Sequence, residues 1–244
     1  MTHQPIRIRA PLRSSLRLGR IPVHLDALLW HALFLKTGDP DAASERLPTL
    51  LAQDQGVYRA SAMAFGIYPN QAPVIATQTA TVGTMRKDTD LLPELMHPNG
   101  RKGKYSKLQV EGGPYKNRLT KYPTHHAPEV VWDAVGDGDA ICHLLNFYVL
   151  AVGLEANRGF GAVGTFQWDA MNEDHSWRTA EGDLARVLPE SIAAEVTGTT
   201  PDATRKLLST LTPPYQRDNM TEPSVAPVRV RRIELTTPLL NQGA

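Results

Sequence analysis

An α+β fold is predicted from the order in which two hydrophobic periodicities follow one another along the 244-residue chain. Segments with strand-like alternation lie near residues 6–10, 57–65, 74–84 and 162–169, and segments with helical spacing near 24–35 and 139–152. A glycine- and proline-broken stretch from about Met85 to Pro128 interrupts them. The order β-α-β-β-(insert)-α-β is the ferredoxin-like (RRM-like) βαββαβ arrangement, with a glycine-rich loop, a basic hairpin insert and a helical and strand-bearing C-terminal extension.

Ile6-Arg7-Ile8-Arg9-Ala10 alternates apolar and basic residues, which predicts a strand with one basic side facing solvent. Leu25, Leu28, Leu29, Ala32 and Leu33 share a helical face, and Gly38 is the expected stop. Strands are expected over Val57–Phe65 and Val74–Thr84, joined by a turn at Pro69–Pro73. Gly100, Gly103, Gly112, Gly113, Pro98, Pro114 and Pro123 exclude a long helix in the insert, and a protruding hairpin suits that composition. Ile141, Leu144, Leu145, Tyr148 and Val149 predict a second helix over 139–152, ended by Gly153, before a strand at 162–169. Asp137-Gly138-Asp139 reads as its turn and cap. In the tail, helices are expected near Asp183–Val196 and after Thr200-Pro201-Asp202, then a strand at Val228–Leu235. Residues 1–170, including the insert 85–128, form the expected core. Residues 171–244 form an extension, either a reduced second ferredoxin-like half or an addition to the first sheet.

The chain is 41% hydrophobic and 21% charged, an ordinary globular balance that argues against general disorder. Its net charge of +1 hides a local excess: Arg101–Lys121 holds seven Lys or Arg against one acid, Glu111. That segment carries +6 and leaves −5 for the rest. The single cysteine, Cys142, lies in an apolar run and fits a buried side chain in a reducing compartment. The N-terminus has no apolar signal region and no stretch reaches membrane-spanning length, so a cytoplasmic protein without membrane contact is expected.

Gly159, Gly161 and Gly164 have the spacing G-x-G-x-x-G. A dinucleotide-binding loop follows a strand and opens a helix; here the helix precedes and the strand follows, which excludes that geometry. Two explanations remain. The turn is either a sharp helix-to-strand connection needing positive φ or close approach, or a polyanion contact made by backbone N–H groups beside Arg158 and Phe160. The insert interleaves charge with aromatic rings, in Arg101-Lys102-Gly103-Lys104-Tyr105-Ser106-Lys107 and Tyr115-Lys116-Asn117-Arg118-Leu119-Thr120-Lys121-Tyr122. Cations neutralise phosphates and tyrosines stack on unpaired bases, the pairing found in single-stranded nucleic-acid sites. The expected RNA-binding residues are therefore Arg7, Arg9, Lys102, Lys104, Tyr105, Lys107, Tyr115, Lys116, Arg118, Lys121, Tyr122, His126, Arg158, Gly159, Phe160 and Gly161. Arg13, Arg17 and Arg20 are further basic residues open to RNA, DNA or a protein partner.

The helix ending in Val152-Gly153 and the run Asn157-Arg158-Gly159-Phe160-Gly161-Ala162-Val163 resemble the glycine-rich loop of the RAMP superfamily of CRISPR-associated proteins. Pro22-Val23-His24-Leu25-Asp26-Ala27-Leu28-Leu29 resembles the first-helix motif of that superfamily, particularly in type IV systems. The resemblance covers roughly residues 6–170 and is greatest to the Cas-five-like subunit. It implies a non-catalytic protein that holds the 5′ handle of the crRNA, docks backbone and large subunits of the effector complex, and lies near target DNA. It also implies that the insert is a thumb-like hairpin crossing the guide RNA.

No catalytic residue, metal or cofactor is expected. The chain has no compact carboxylate or His/Cys constellation, nucleophile elbow or P-loop. The competing expectation is a metal-independent crRNA-processing endoribonuclease using a histidine such as His24 or His126. His24 and His31 are seven residues apart on one predicted helix, and His143 is expected among core residues.

Overall fold

The computed structural model describes residues 3–69, 76–84, 118–199, 202–215 and 220–239. The chain divides into two compact units, Met1–Ala76 with His125–Ala244, and Thr77–Thr124. In chain order the first unit contains β1 (Gln4–Pro11), α1 (Leu25–Thr37), α2 (Pro40–Leu50), β2 (Gln53–Asp54), β3 (Val57–Tyr58) and β4 (Ala64–Ile67). The strands β5 (Ala76–Thr84) and β6 (Arg118–His126) pair with each other in a two-stranded sheet, which accounts for the described part of the second unit. There follow β7 (Glu129–Gly136), α3 (Gly138–Tyr148), β8 (Gln167–Ala170), β9 (Leu188–Pro189), α4 (Glu190–Thr197), β10 (Lys206–Ser209), β11 (Glu222–Val225) and β12 (Arg231–Glu234).

The fold is α+β with a mixed five-stranded sheet in the order β12-β4-β7-β1-β8. Only β12 and β4 run parallel; β4–β7, β7–β1 and β1–β8 are antiparallel. Strand alternation sorts the two faces. Ile6, Ile8, Ala10, Val130 and Trp132 join Leu25, Leu29 and Leu33 of α1 and Ile141, Leu144 and Leu145 of α3 in one core. Arg7, Arg9, Glu129 and Asp133 are carried by the alternate positions of β1 and β7. A second cluster, with Trp177, Leu184, Leu188, Ile192 and Val225, lies around α4 and a three-stranded sheet ordered β10-β11-β9.

Local signals act as expected at several ends. Gly38 closes α1 at φ +70°, its N–H donating to the Phe34 carbonyl at 2.7 Å. The Asp137 carboxylate caps α3 by accepting from the Ala140 amide at 3.0 Å. The Cys142 thiol is buried, which pushes its pKa up to about 12 and keeps it protonated. Among the described residues no helix is long and apolar enough to cross a membrane.

Several expectations give way to tertiary pairing. The third strand of the main sheet is β7, whereas 76–84 belongs to the separate two-stranded sheet. Glu129–Gly136 does not alternate because it is central: seven of its eight residues are buried. Helix α2 is an element beyond those expected from sequence, although Asp39 caps it and Pro40 stands in its first turn. Helix α3 ends at Tyr148 and not near Val152, because the chain beyond it pairs with the glycine turn: Val152 N–H donates to the Gly161 carbonyl at 2.8 Å and Val163 N–H to that of Leu150 at 3.1 Å. The helix expected from Asp183 starts at Glu190, since 184–187 run as buried, non-helical chain packed against the Tyr58–Ala62 segment. The helix expected after Thr200 is a single 3-10 turn, Ala203–Arg205, leading into β10. His143 is exposed on α3 and does not lie in the core. The last strand shortens to Arg231–Glu234 and lies beside β4 in the main sheet.

Candidate nucleic-acid interface

The glycine turn is a site of close backbone approach. Gly159 and Gly161 both have positive φ, +84° and +68°. A Cβ on Gly161 would lie 1.9 Å from the Val152 carbonyl oxygen, whereas one on Gly159 would meet nothing within 4 Å. Only glycine fits at 161 without displacing the chain; at 159 conformation alone favours it.

A second segment, Arg13–Arg17, is laced into this turn. Arg13 N–H donates to the Ala162 carbonyl at 2.8 Å, Gly161 N–H to Ser15 at 2.9 Å, and Leu154 N–H to Arg17 at 2.9 Å. The Ser14 hydroxyl donates to the Gly159 carbonyl at 2.8 Å and accepts from the Ala162 amide at 2.9 Å. The amides of Arg158, Gly159, Gly161, Ala162, Val163 and Gly164 all donate within the chain. Any anion contact at these positions therefore falls to side chains, in contrast to the backbone cradle expected from sequence. The side chains are present: Arg158 and Arg13 are exposed, and Arg17 is half-buried. Phe160 is buried, so its ring packs inward. The Ser14 hydroxyl and the Ser15 carbonyl reach the turn over more than 140 residues, a pairing that leaves no local pattern in the sequence.

The basic strand face does not look to solvent. Arg7 forms a two-pronged ion pair with Asp133, at 2.7 and 3.2 Å. Arg9 is buried; it donates to both Glu129 oxygens at 2.9 and 3.2 Å, to Asp169 at 3.1 Å and to the Thr237 carbonyl at 2.6 Å. Tyr68 also bonds Glu129, and burial with that contact raises its hydroxyl to about 12. The pairing has a physical cause: a guanidinium on a covered sheet face requires carboxylates to satisfy it. Arg7 and Asp133 line a cleft of about 580 Å³ with His175, Glu181, Asp183, Arg231 and Arg232, where both signs of charge mix.

The first-helix motif has an interior role. Asp26 and Arg186 are fully buried and paired at 3.2 Å, and the Tyr215 hydroxyl donates to the same Asp26 oxygen at 2.7 Å. Arg186 also donates to the carbonyls of Tyr58, Ala60 and Leu211. His24 is 1% exposed and accepts from the Val187 amide at 3.3 Å. Burial, followed by the charges of Arg186 and Arg231, holds its pKa well below the ordinary 6.5, so it is neutral. His31 is exposed, so the two histidines do not form one site.

Of the insert residues, Lys102, Lys104, Tyr105, Lys107, Tyr115 and Lys116 lie outside the described residues. Arg118 stands at the start of β6; Lys121 and His126 on the same strand are exposed, and Tyr122 is buried. Among the described residues no group of three or more His, Cys, Asp or Glu is arranged to hold a metal ion.

No curated protein matches the chain detectably. The family model for the CRISPR type IV associated protein Csf3 matches residues 4–225, which takes in nearly the whole chain and bears out the type IV resemblance. The chain therefore belongs to the Csf3 family of type IV CRISPR-associated proteins.

Proposed function

We propose that this protein is a non-catalytic crRNA-binding subunit of a type IV CRISPR effector ribonucleoprotein, holding the 5′ handle of the guide and contacting backbone and large subunits near the target DNA. One observation carries it. The glycine turn and the Arg13–Arg17 segment are hydrogen-bonded to each other, and they bring Arg17 and Arg158 together on the Glu155 carboxylate at 2.9 and 3.2 Å. Guanidinium groups on a fixed backbone suit phosphate recognition without sequence readout. Membership of a type IV CRISPR family makes a guide RNA the natural polyanion. The strand order β8-β1-β7-β4, with α1 and α3 as the connecting helices, supports a ferredoxin-like core over 1–170 with 171–244 as an extension whose last strand joins the sheet. A cytoplasmic ribonucleoprotein fits that assignment.

Arg7 and Arg9 hold the sheet together in this proposal, and the RNA-facing charge comes from the turn, the arginine segment and the insert. Neutralising Lys116, Arg118 and Lys121 together should weaken binding of a repeat-derived RNA and flatten the salt dependence by about 2 in log–log slope, at roughly 0.7 per phosphate contact. An unchanged slope would remove the insert from the interface. Incubation of the same RNA with purified protein tests the non-catalytic part. Specific cleavage abolished by His126→Ala would replace it with a processing nuclease.

A further inference from the structure

Glu155 stands immediately before the glycine turn, in the left-handed region at φ +61° and ψ +33°. That conformation is strained for a residue with a Cβ and is normally left to glycine or asparagine. Its carboxylate spans two arginines from the two laced segments. Arg17 Nη1 approaches one oxygen at 2.9 Å and Arg158 Nε the other at 3.2 Å. The 3-10 turn Ala156–Arg158 follows directly and is closed by the Arg158 amide on the Glu155 carbonyl at 2.8 Å. All three side chains are partly open to solvent, at 25%, 27% and 45% for Arg17, Glu155 and Arg158.

Two guanidinium groups on two oxygens of one anion is also how arginines hold the non-bridging oxygens of a phosphate. Ion pairs this exposed contribute little to stability, so a strained backbone is poorly explained by the pairs alone. We infer that Glu155 is the affinity-setting residue of this surface: its carboxylate occupies the place between Arg17 and Arg158 that a backbone phosphate of single-stranded RNA takes, and the phosphate must displace it. The inference rests on the RNA-binding function proposed above. In the free protein the carboxylate holds the two guanidinium groups at phosphate-ready spacing. During binding it is a competitor, which restricts the site to polyanions whose neighbouring contacts repay the exchange.

The test is a fluorescence-anisotropy titration of a labelled, single-stranded, repeat-derived RNA across a salt series, with wild-type protein, Glu155→Gln and Glu155→Gly. Both variants should bind roughly 3- to 10-fold more tightly at low salt, the range expected for freeing two exposed ion pairs. The slope should steepen by about 0.7, because loss of the carboxylate leaves one more net positive charge to neutralise phosphate. Glu155→Gly also relieves the left-handed strain, so it should fold at least as stably as wild type and guards against a folding artefact. In an Arg158→Gln background the gain from Glu155→Gln should shrink, a coupling that a purely structural glutamate would not produce. Wild-type binding with unchanged or weaker binding by both variants would overturn the role of Glu155. Absence of RNA binding by the wild type would instead overturn the RNA-binding function and this inference with it.

Discussion

Replacing Gly161 by alanine separates the two demands that a glycine can meet at a turn. Gly159 and Gly161 share positive φ, so alanine at either position pays about 1–2 kcal/mol for the left-handed conformation. Only at 161 does the new Cβ collide, 1.9 Å from the Val152 carbonyl oxygen. That contact cannot persist. The turn must move away from 149–152 and from the Arg13–Arg17 segment, disrupting the Val152-to-Gly161 and Gly161-to-Ser15 hydrogen bonds of 2.8 and 2.9 Å. Two such bonds contribute about 1 kcal/mol each, and residual strain adds a similar amount. The expected cost is about 3–5 kcal/mol for Gly161→Ala and about 1–2 kcal/mol for Gly159→Ala. At roughly 2–4 °C per kcal/mol for a chain of this size, the two variants should melt about 4–12 °C apart by far-ultraviolet circular dichroism. RNA binding of the folded Gly159→Ala protein should stay near wild type. Equal melting temperatures would refute the close-approach account, whatever their distance from wild type.

Asp26→Ala leaves the fully buried Arg186 without its carboxylate, and about 3–5 kcal/mol of destabilisation is expected in urea unfolding; a loss below about 1 kcal/mol would mean that the pair is not desolvated as described. His24 gives stability a pH dependence. Its folded pKa lies well below 6.5, so at falling pH the unfolded chain takes up a proton that the folded chain refuses. Stability attributable to His24 should therefore be complete above about pH 7. Below about 6.5 it should decline by up to about 1.4 kcal/mol per pH unit until the folded group titrates. Comparing urea midpoints of wild type and His24→Gln across that window checks it, and parallel curves would show that His24 does not contribute.

Features set by neighbours in sequence were legible. The Gly38 stop and the Asp137 cap needed only the residues around them. The glycine spacing, read with a helix before and a strand after, was enough to dismiss a dinucleotide site. The Pro22–Leu29 and Asn157–Val163 motifs carried the family. Distant pairing was not legible. Both 76–84 and 129–136 are competent strands, and what chooses β7 for the centre of the sheet is its pairing with β1 over more than 100 residues. Strand choice depends on the combined burial of both partners, a quantity that no local window contains.

The same division governs the site. By itself the sequence determined the residue types: glycines able to adopt positive φ, an arginine immediately before them, and a basic insert with interleaved tyrosines. Tertiary structure decided how they are used. It turned Arg9 inward onto Glu129 and Asp169, and it buried His24 and Asp26 against the Arg186 segment. It brought Arg13–Arg17 beside a turn some 140 residues away. A charge pattern specifies a face only once the packing shows which carboxylates stand opposite it, because a guanidinium that loses water must gain a partner.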